Sequence, residues 1–125
     1  MAADFLRPSF IAKEEGHLIY IQMSGDINQQ TLPESRRLLD EIVRLHRINE
    51  RDNLRILVDY KLVGDVDSST LANIIERLDR NQNRNHRVAF INIPKEFQQL
   101  LEIYKLQEKI LVFASKEEAL RELQK

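Results

Sequence analysis

The chain contains no cysteine and no tryptophan, and only three glycines and three prolines among its 125 residues. Without cysteine there is no disulfide, no thiolate nucleophile and no Cys-ligated zinc. So few glycines leave no glycine-rich loop to cradle a phosphate. No apolar run approaches the roughly 20 residues that a membrane-spanning helix needs. The opening Met1-Ala2-Ala3-Asp4 has no basic stretch followed by an apolar one. No signal peptide is therefore expected, and a cytoplasmic location is. An excess of one charge is also missing. Lys plus Arg is 19 and Asp plus Glu is 20, a net charge of −1. That balance gives no electrostatic reason to expect a nucleic acid or an anionic membrane as partner. His17, His46 and His86 lie far apart without metal-ligand spacing, so neither a metal site nor a cofactor is expected.

What is present suits a soluble α/β protein. Hydrophobic residues make up 42% and charged residues 31%, enough for one domain with one core. The chain reads as a single domain over 1–125, with its core at about 8–123. Phe10-Ile11-Ala12 and Leu18–Met23 are rich in strand formers and flank the charged Lys13-Glu14-Glu15-Gly16, which predicts a hairpin. Ser24-Gly25-Asp26 is expected to close its second strand. A helix should start near Leu32-Pro33, because proline suits a first helical turn. Leu38, Leu39, Ile42, Val43 and His46 share one face of it, while Arg36, Arg37, Asp40, Glu41 and Arg44 suit the wet face.

Ile56-Leu57-Val58 is a continuous apolar run, the pattern of a central strand buried on both faces. Asp67-Ser68-Ser69 opens a second helix, with Leu71, Ile74, Ile75 and Leu78 as its buried stripe. The polar stretch 81–85 reads as a loop. Val88–Ile91 predicts another buried strand. Pro94 starts a third helix with Phe97, Leu100, Leu101 and Tyr104 on one face. Ile110–Phe113 is a short strand, and Lys116–Leu123 a last helix with Ser115 as its N-cap. The order β-β-α-β-α-β-α-β-α predicts a mostly parallel central sheet with an antiparallel N-terminal hairpin strand and about four helices. Function in such sheets collects at the carboxyl ends of strands, which draws attention to Asp59–Thr70.

That segment carries a resemblance. Ile56-Leu57-Val58-Asp59, a linker over Tyr60–Val66, and then Asp67-Ser68-Ser69-Thr70-Leu71 resembles the pattern of the STAS family, in which an apolar strand ends in Asp and Asp-Ser-Ser-Gly-Leu opens a helix. Gly25-Asp26-Ile27-Asn28 is similar to the family's Gly-Glu-Leu-Asp. Asn92 and Pro94 after the Val88 strand, Leu100–Leu106, and Phe113–Leu120 resemble further family segments. The likeness runs from about Phe10 to Leu123.

It implies a STAS fold and the role of an anti-sigma factor antagonist. This is a binding module rather than an enzyme, whose partner is an anti-sigma factor that is also a serine kinase of the GHKL type. The phosphoacceptor would be Ser68, with Ser69 and Thr70 as secondary candidates. The partner surface would gather Asp26, Asn28, Asp59, Asp65, Asp67, Ser69, Thr70, Asn73 and Arg77. Arg80 and Arg84 are further cations for an acidic partner. A phosphate is favoured locally at a helix N-terminus, while its charge of about −2 acts on the binding surface.

Two positions depart from the pattern. Thr70 stands where the family has Gly, and Asn28 where it has an acid. Both motivate an alternative, an unphosphorylated scaffold or regulatory STAS domain that binds another STAS-regulatory protein or self-assembles. On either reading the chain is a monomer or a weak homo-oligomer. A plainer role for Asp67, Ser68 or Ser69 is helix capping alone. A third possibility is an enzyme or small-molecule site on Asp65 and Asp67. Asp65-Val66-Asp67 has the Asp-x-Asp form of haloacid-dehalogenase phosphatases, but that motif belongs on the end of a buried strand, and Tyr60–Gly64 intervene after Asp59.

Overall fold

The computed structural model describes residues 6–80, 84–105 and 110–124, with the side chains of Leu71, Ile75, Leu78, Asp79 and Arg80 outside that description. The elements alternate along the chain: β1 (Ser9–Glu15), β2 (Leu18–Ile27), α1 (Leu32–Leu45), β3 (Arg55–Val66), α2 (Ser68–Arg80), β4 (Arg87–Ile91), α3 (Lys95–Ile103), β5 (Leu111–Phe113) and α4 (Lys116–Leu123). The five strands lie in the order β1-β2-β3-β4-β5. β1 pairs antiparallel with β2, and the remaining neighbours are parallel. The predicted element order and sheet class match this architecture.

Strand order following chain order has a geometric consequence. Three successive right-handed crossovers, all stepping the same way across the sheet, place α1, α2 and α3 on one face. The core shows it. Ile42, Ile74, Phe97 and Leu101 of those helices pack with Ile19, Ile21, Met23, Ile56, Val58, Tyr60 and Phe90. The alternate strand positions, Leu57, Ala89 and Ile91, meet Ala119 and Leu123 of α4 on the other face. Ile56, Leu57 and Val58 are accordingly all buried, as expected of a strand covered on both sides.

Four sequence expectations need correction. β1 continues through Lys13-Glu14-Glu15, so the hairpin turns on Gly16-His17 alone. β2 does not close at Ser24-Gly25-Asp26 but runs on to Ile27. Tyr60–Val66 is no linker; it is the second half of β3. Tyr104 follows α3 as its C-cap and is exposed, so that helix buries only Phe97 and Leu101 fully. The expected α2 stripe can be placed only at Ile74, which is buried; Leu71, Ile75 and Leu78 lie outside the described side chains, as do 81–83 of the polar loop.

The extension of β3 matters most for function. β3 pairs with β4 only from Arg55 to Asp59, whereas its pairing with β2 continues to Ile27 and Val66. The upper part of the two strands therefore forms a ribbon that rises above the rest of the sheet. Twice in it, two residues of β3 stand opposite one of β2: Tyr60 and Lys61 opposite Met23, and Gly64 and Asp65 opposite Asp26. Such bulges increase local twist and re-aim side chains. The tip of the ribbon leads directly into α2.

Candidate functional site

Asp67 caps α2. Its Oδ1 accepts the Ser69 N–H at 3.1 Å and the Ser69 hydroxyl at 2.5 Å, and its Oδ2 accepts the Gln29 N–H at 2.8 Å. One carboxylate thus ties the helix start to the β2–α1 loop. Burial alone would raise its pKa. The hydrogen bonds from the Ser69 hydroxyl and from the backbone N–H groups of Gln29, Ser69 and Thr70 outweigh that and hold it below the ordinary carboxylate range.

The three hydroxyls that follow have different fates. Ser68, the first residue of α2, is exposed, and its hydroxyl has no hydrogen-bond partner among the described residues. Ser69 is half-buried and donates to Asp67. Thr70 is 2% exposed and donates to the Ile27 carbonyl. Helical rotation of about 100° per residue turns three adjacent side chains toward solvent, cap and core in turn.

The β2–α1 loop is built around Asn28. Its Oδ1 accepts the N–H groups of Gln30 (3.0 Å) and Thr31 (3.2 Å), and its Nδ2 donates to Asp65 Oδ2 at 3.0 Å. Thr31 Oγ1 donates to the Asp26 carbonyl at 2.7 Å and accepts the Asn28 N–H at 3.0 Å. The Asp26 carboxylate accepts the Asp65 N–H at 3.0 Å. Asp26, Asn28 and Asp65 therefore form one hydrogen-bonded group at the ribbon tip beside Ser68, and Asp67 joins the same loop through the Gln29 N–H.

A family model for the STAS domain matches residues 9–119. The chain is a STAS domain. Solved structures agree in fold. An anti-sigma factor antagonist from Mycobacterium paratuberculosis superposes with a TM-score of 0.76 at 11% identity, covering 94% of this chain and 95% of its own. An anti-sigma-factor antagonist (STAS) domain protein from Planctomyces limnophilus gives 0.74 at 13% identity, over 93% and 98%. The Bacillus cell fate determinant SpoIIAA in its phosphorylated form gives 0.64 at 14% identity, over 92% and 99%. No match is found among the curated proteins.

The STAS fold separates the residues expected on the partner surface into two groups. Asp26, Asp65, Asp67 and Ser69 lie at the ribbon tip with Ser68. Asp59 does not. It is 5% exposed and lies on the α4 face, where its carboxylate accepts the Tyr20 hydroxyl at 2.5 Å, Asn92 Nδ2 at 2.9 Å and the Lys61 N–H at 2.9 Å. Burial works to raise the Asp59 pKa, and the bonds from Tyr20, Asn92 and Lys61 outweigh it and hold the carboxyl low; burial and Asp59 together push the Tyr20 phenol up to about 12. Asp59 thus joins β2, β3 and the end of β4 from within.

Thr70, Asn28 and Asn73, at 2%, 8% and 7% exposure, are likewise interior groups. Asn73 accepts from Arg36 Nε at 3.2 Å, and Arg77 pairs with Asp40 at 2.8 Å, so both bind α2 to α1. Arg84 pairs with Asp52 at 3.3 Å, and its carbonyl accepts the Asn53 N–H beyond the far end of α2. The side chain of Arg80 lies outside the described residues.

Sequence reasoning missed Tyr20 and Asn92, which complete the Asp59 network, and Leu6, which binds Asp26. A Tyr between the core residues Ile19 and Ile21 of β2 carries no signal for a partner 39 residues away. The expectation that Asp65-Val66-Asp67 lies away from a strand end needs correction as well. β3 reaches Val66, so Asp65-Val66-Asp67 does sit on a strand end. What argues against a nucleophile there is that Asp67 is committed to the helix cap and Asp65 accepts from Asn28. Among the described residues no group of three or more His, Cys, Asp or Glu could hold a metal, and no helix is long and apolar enough to cross a membrane.

Proposed function

We propose that this STAS domain is an anti-sigma factor antagonist-like binding module switched by phosphorylation of Ser68. The observation that carries the reading is the division of labour among the three hydroxyls. Only Ser68 is both exposed and uncommitted, and it stands at a helix N-terminus on the tip of the ribbon. A phosphate there adds about two negative charges to a rim that already holds Asp26, Asp65 and Asp67. Repulsion and desolvation would then fall on the partner surface, while the helix N-terminus accommodates the group locally. SpoIIAA, a structural neighbour, has been solved in unphosphorylated and phosphorylated forms, which lends the reading support by analogy of fold.

The partner would be an anti-sigma factor with serine kinase activity of the GHKL type. The two departures that favour the scaffold alternative weigh less once their side chains are placed. Thr70 and Asn28 face inward, so neither changes the outer surface.

The test is peptide mass spectrometry on protein purified from its native cells, growing and stressed. The expected result is a phosphate on Ser68. Its absence in every condition, together with unimpaired partner binding by Ser68→Asp, would overturn the switch.

A further inference from the structure

We propose that the N-terminal segment Leu6–Pro8 is a strap that holds the loop leading to Ser68, acting through the single carboxylate of Asp26. Asp26 is hydrogen-bonded on both sides. Its Oδ2 accepts the Leu6 N–H at 2.9 Å, its own N–H donates to the Leu6 carbonyl at 3.0 Å, and its Oδ1 accepts the Asp65 N–H at 3.0 Å. The Asp65 side chain continues the chain of contacts to Asn28. The strap thereby lies along the β2 side of the ribbon, leading into β1 without being part of it, and reaches, through Asp26, to within three residues of Ser68.

Two glycines show that the closeness is built in. Gly25 has φ +85°, and a Cβ there would collide with the Arg7 carbonyl, so the strap can lie flat only over glycine. A Cβ on Gly64 would come within 2.5 Å of Asp26 Oδ1, so the carboxylate reaches the β3 backbone only over a second glycine. The strap itself presents Leu6 and Arg7 to solvent, at the edge of the same surface. The coupling is a property of the fold alone; its meaning for Ser68 rests on the switch reading above.

Amide hydrogen exchange by NMR on the full chain tests it without partner or phosphate. Leu6→Pro removes one N–H from an exposed position and leaves β2 and β3 unaltered. Gly64→Ala displaces the Asp26 carboxylate from the loop side, and the Gly64 backbone lacks the positive φ that would forbid alanine. Equilibrium coupling is reciprocal. Leu6→Pro should therefore speed exchange at the Asp65 amide about five- to tenfold, the scale of one ordinary hydrogen bond. Gly64→Ala should speed exchange at Leu6, while the amides of Leu57 and Phe90 hold their rates in both. If each effect stays on its own side of Asp26, or appears in one direction only, strap and loop are independent and the proposal falls. It falls equally if the core amides accelerate in step, since that is a loss of global stability. A chain never phosphorylated at Ser68 would leave this result untouched.

Discussion

The two residues that depart from the STAS pattern are explained by what they touch. Thr70 faces the core, where its hydroxyl satisfies the Ile27 carbonyl at the end of β2. Thr70→Val keeps shape and volume but leaves that buried acceptor unpaired, and should cost about 1–2 kcal/mol. Ser68→Ala, two residues earlier and in solvent, should stay within about 0.5 kcal/mol. Urea midpoints at unchanged m-value measure both, and equal effects would mean that the inward and outward assignments are wrong. Asn28 has a different reason. Its amide donates to Asp65 at 3.0 Å, and an aspartate there would replace that bond with two facing carboxylates. Asn28→Asp should therefore be destabilising at neutral pH and recover in acid, when one of the pair takes a proton. A variant as stable as the parent at pH 7 would show that the loop does not depend on this contact.

The elements show which signals are local. Helix starts were legible because their causes lie within a few residues. Pro33 stands in the first turn of α1, Asp67 caps α2, Pro94 precedes α3, and the Ser115 hydroxyl accepts the Glu118 N–H at 3.1 Å. Strand ends were not legible, because they are set by pairing with distant chain. Tyr60–Val66 lacks strict alternation, since the two bulges shift the side chains between faces, and only its partner β2 makes it a strand. The cap can be tested by pH. Asp67 is held below its unfolded value of about 3.9. Its contribution is therefore fully present above that value and is lost as pH falls through the lower folded value. Asp67→Asn keeps one capping oxygen but sets an amide NH2 against one of the N–H donors and removes the charge, and should lower stability at pH 7 by about 1 kcal/mol. The gap to the parent should narrow below about pH 4, as the parent takes up the proton. Thermal melts between pH 7 and pH 3 read this directly, and a gap that stays constant would assign the loss to something other than the carboxylate charge.

Across the whole molecule, three helices cover one face of the sheet and one covers the other. This follows from strand order, which the sequence implied through its βα alternation but did not display. The Ser68 site belongs to the three-helix side, where Tyr60, Phe90 and Phe97 form an aromatic cluster with ring centroids 5.3–6.2 Å apart. α4 belongs to the other side, and the Asp59 network is the group of the site segment that faces it. The two faces should therefore respond differently to loss of core. Leu123→Ala empties space beneath α4 and should cost about 2–5 kcal/mol. Phe97→Ala, removing an aromatic from the larger core, should cost about 3–5 kcal/mol, a large share of the roughly 5–15 kcal/mol that holds a domain of this size. Their effects on the site should differ more than their energies. Phe97 touches Tyr60, which begins the ribbon half of β3, so its loss should shift the amide signals of Asp65–Thr70. Leu123 meets the ribbon only through the lower half of β3 and should leave those signals in place while moving those of α4, Leu57 and Ala89. Proton–nitrogen NMR spectra of the two folded variants decide the point. If Leu123→Ala disturbs Ser68 as much as Phe97→Ala does, the sheet transmits strain between its faces, and the Asp59 network, the polar link through β3, becomes the path to examine.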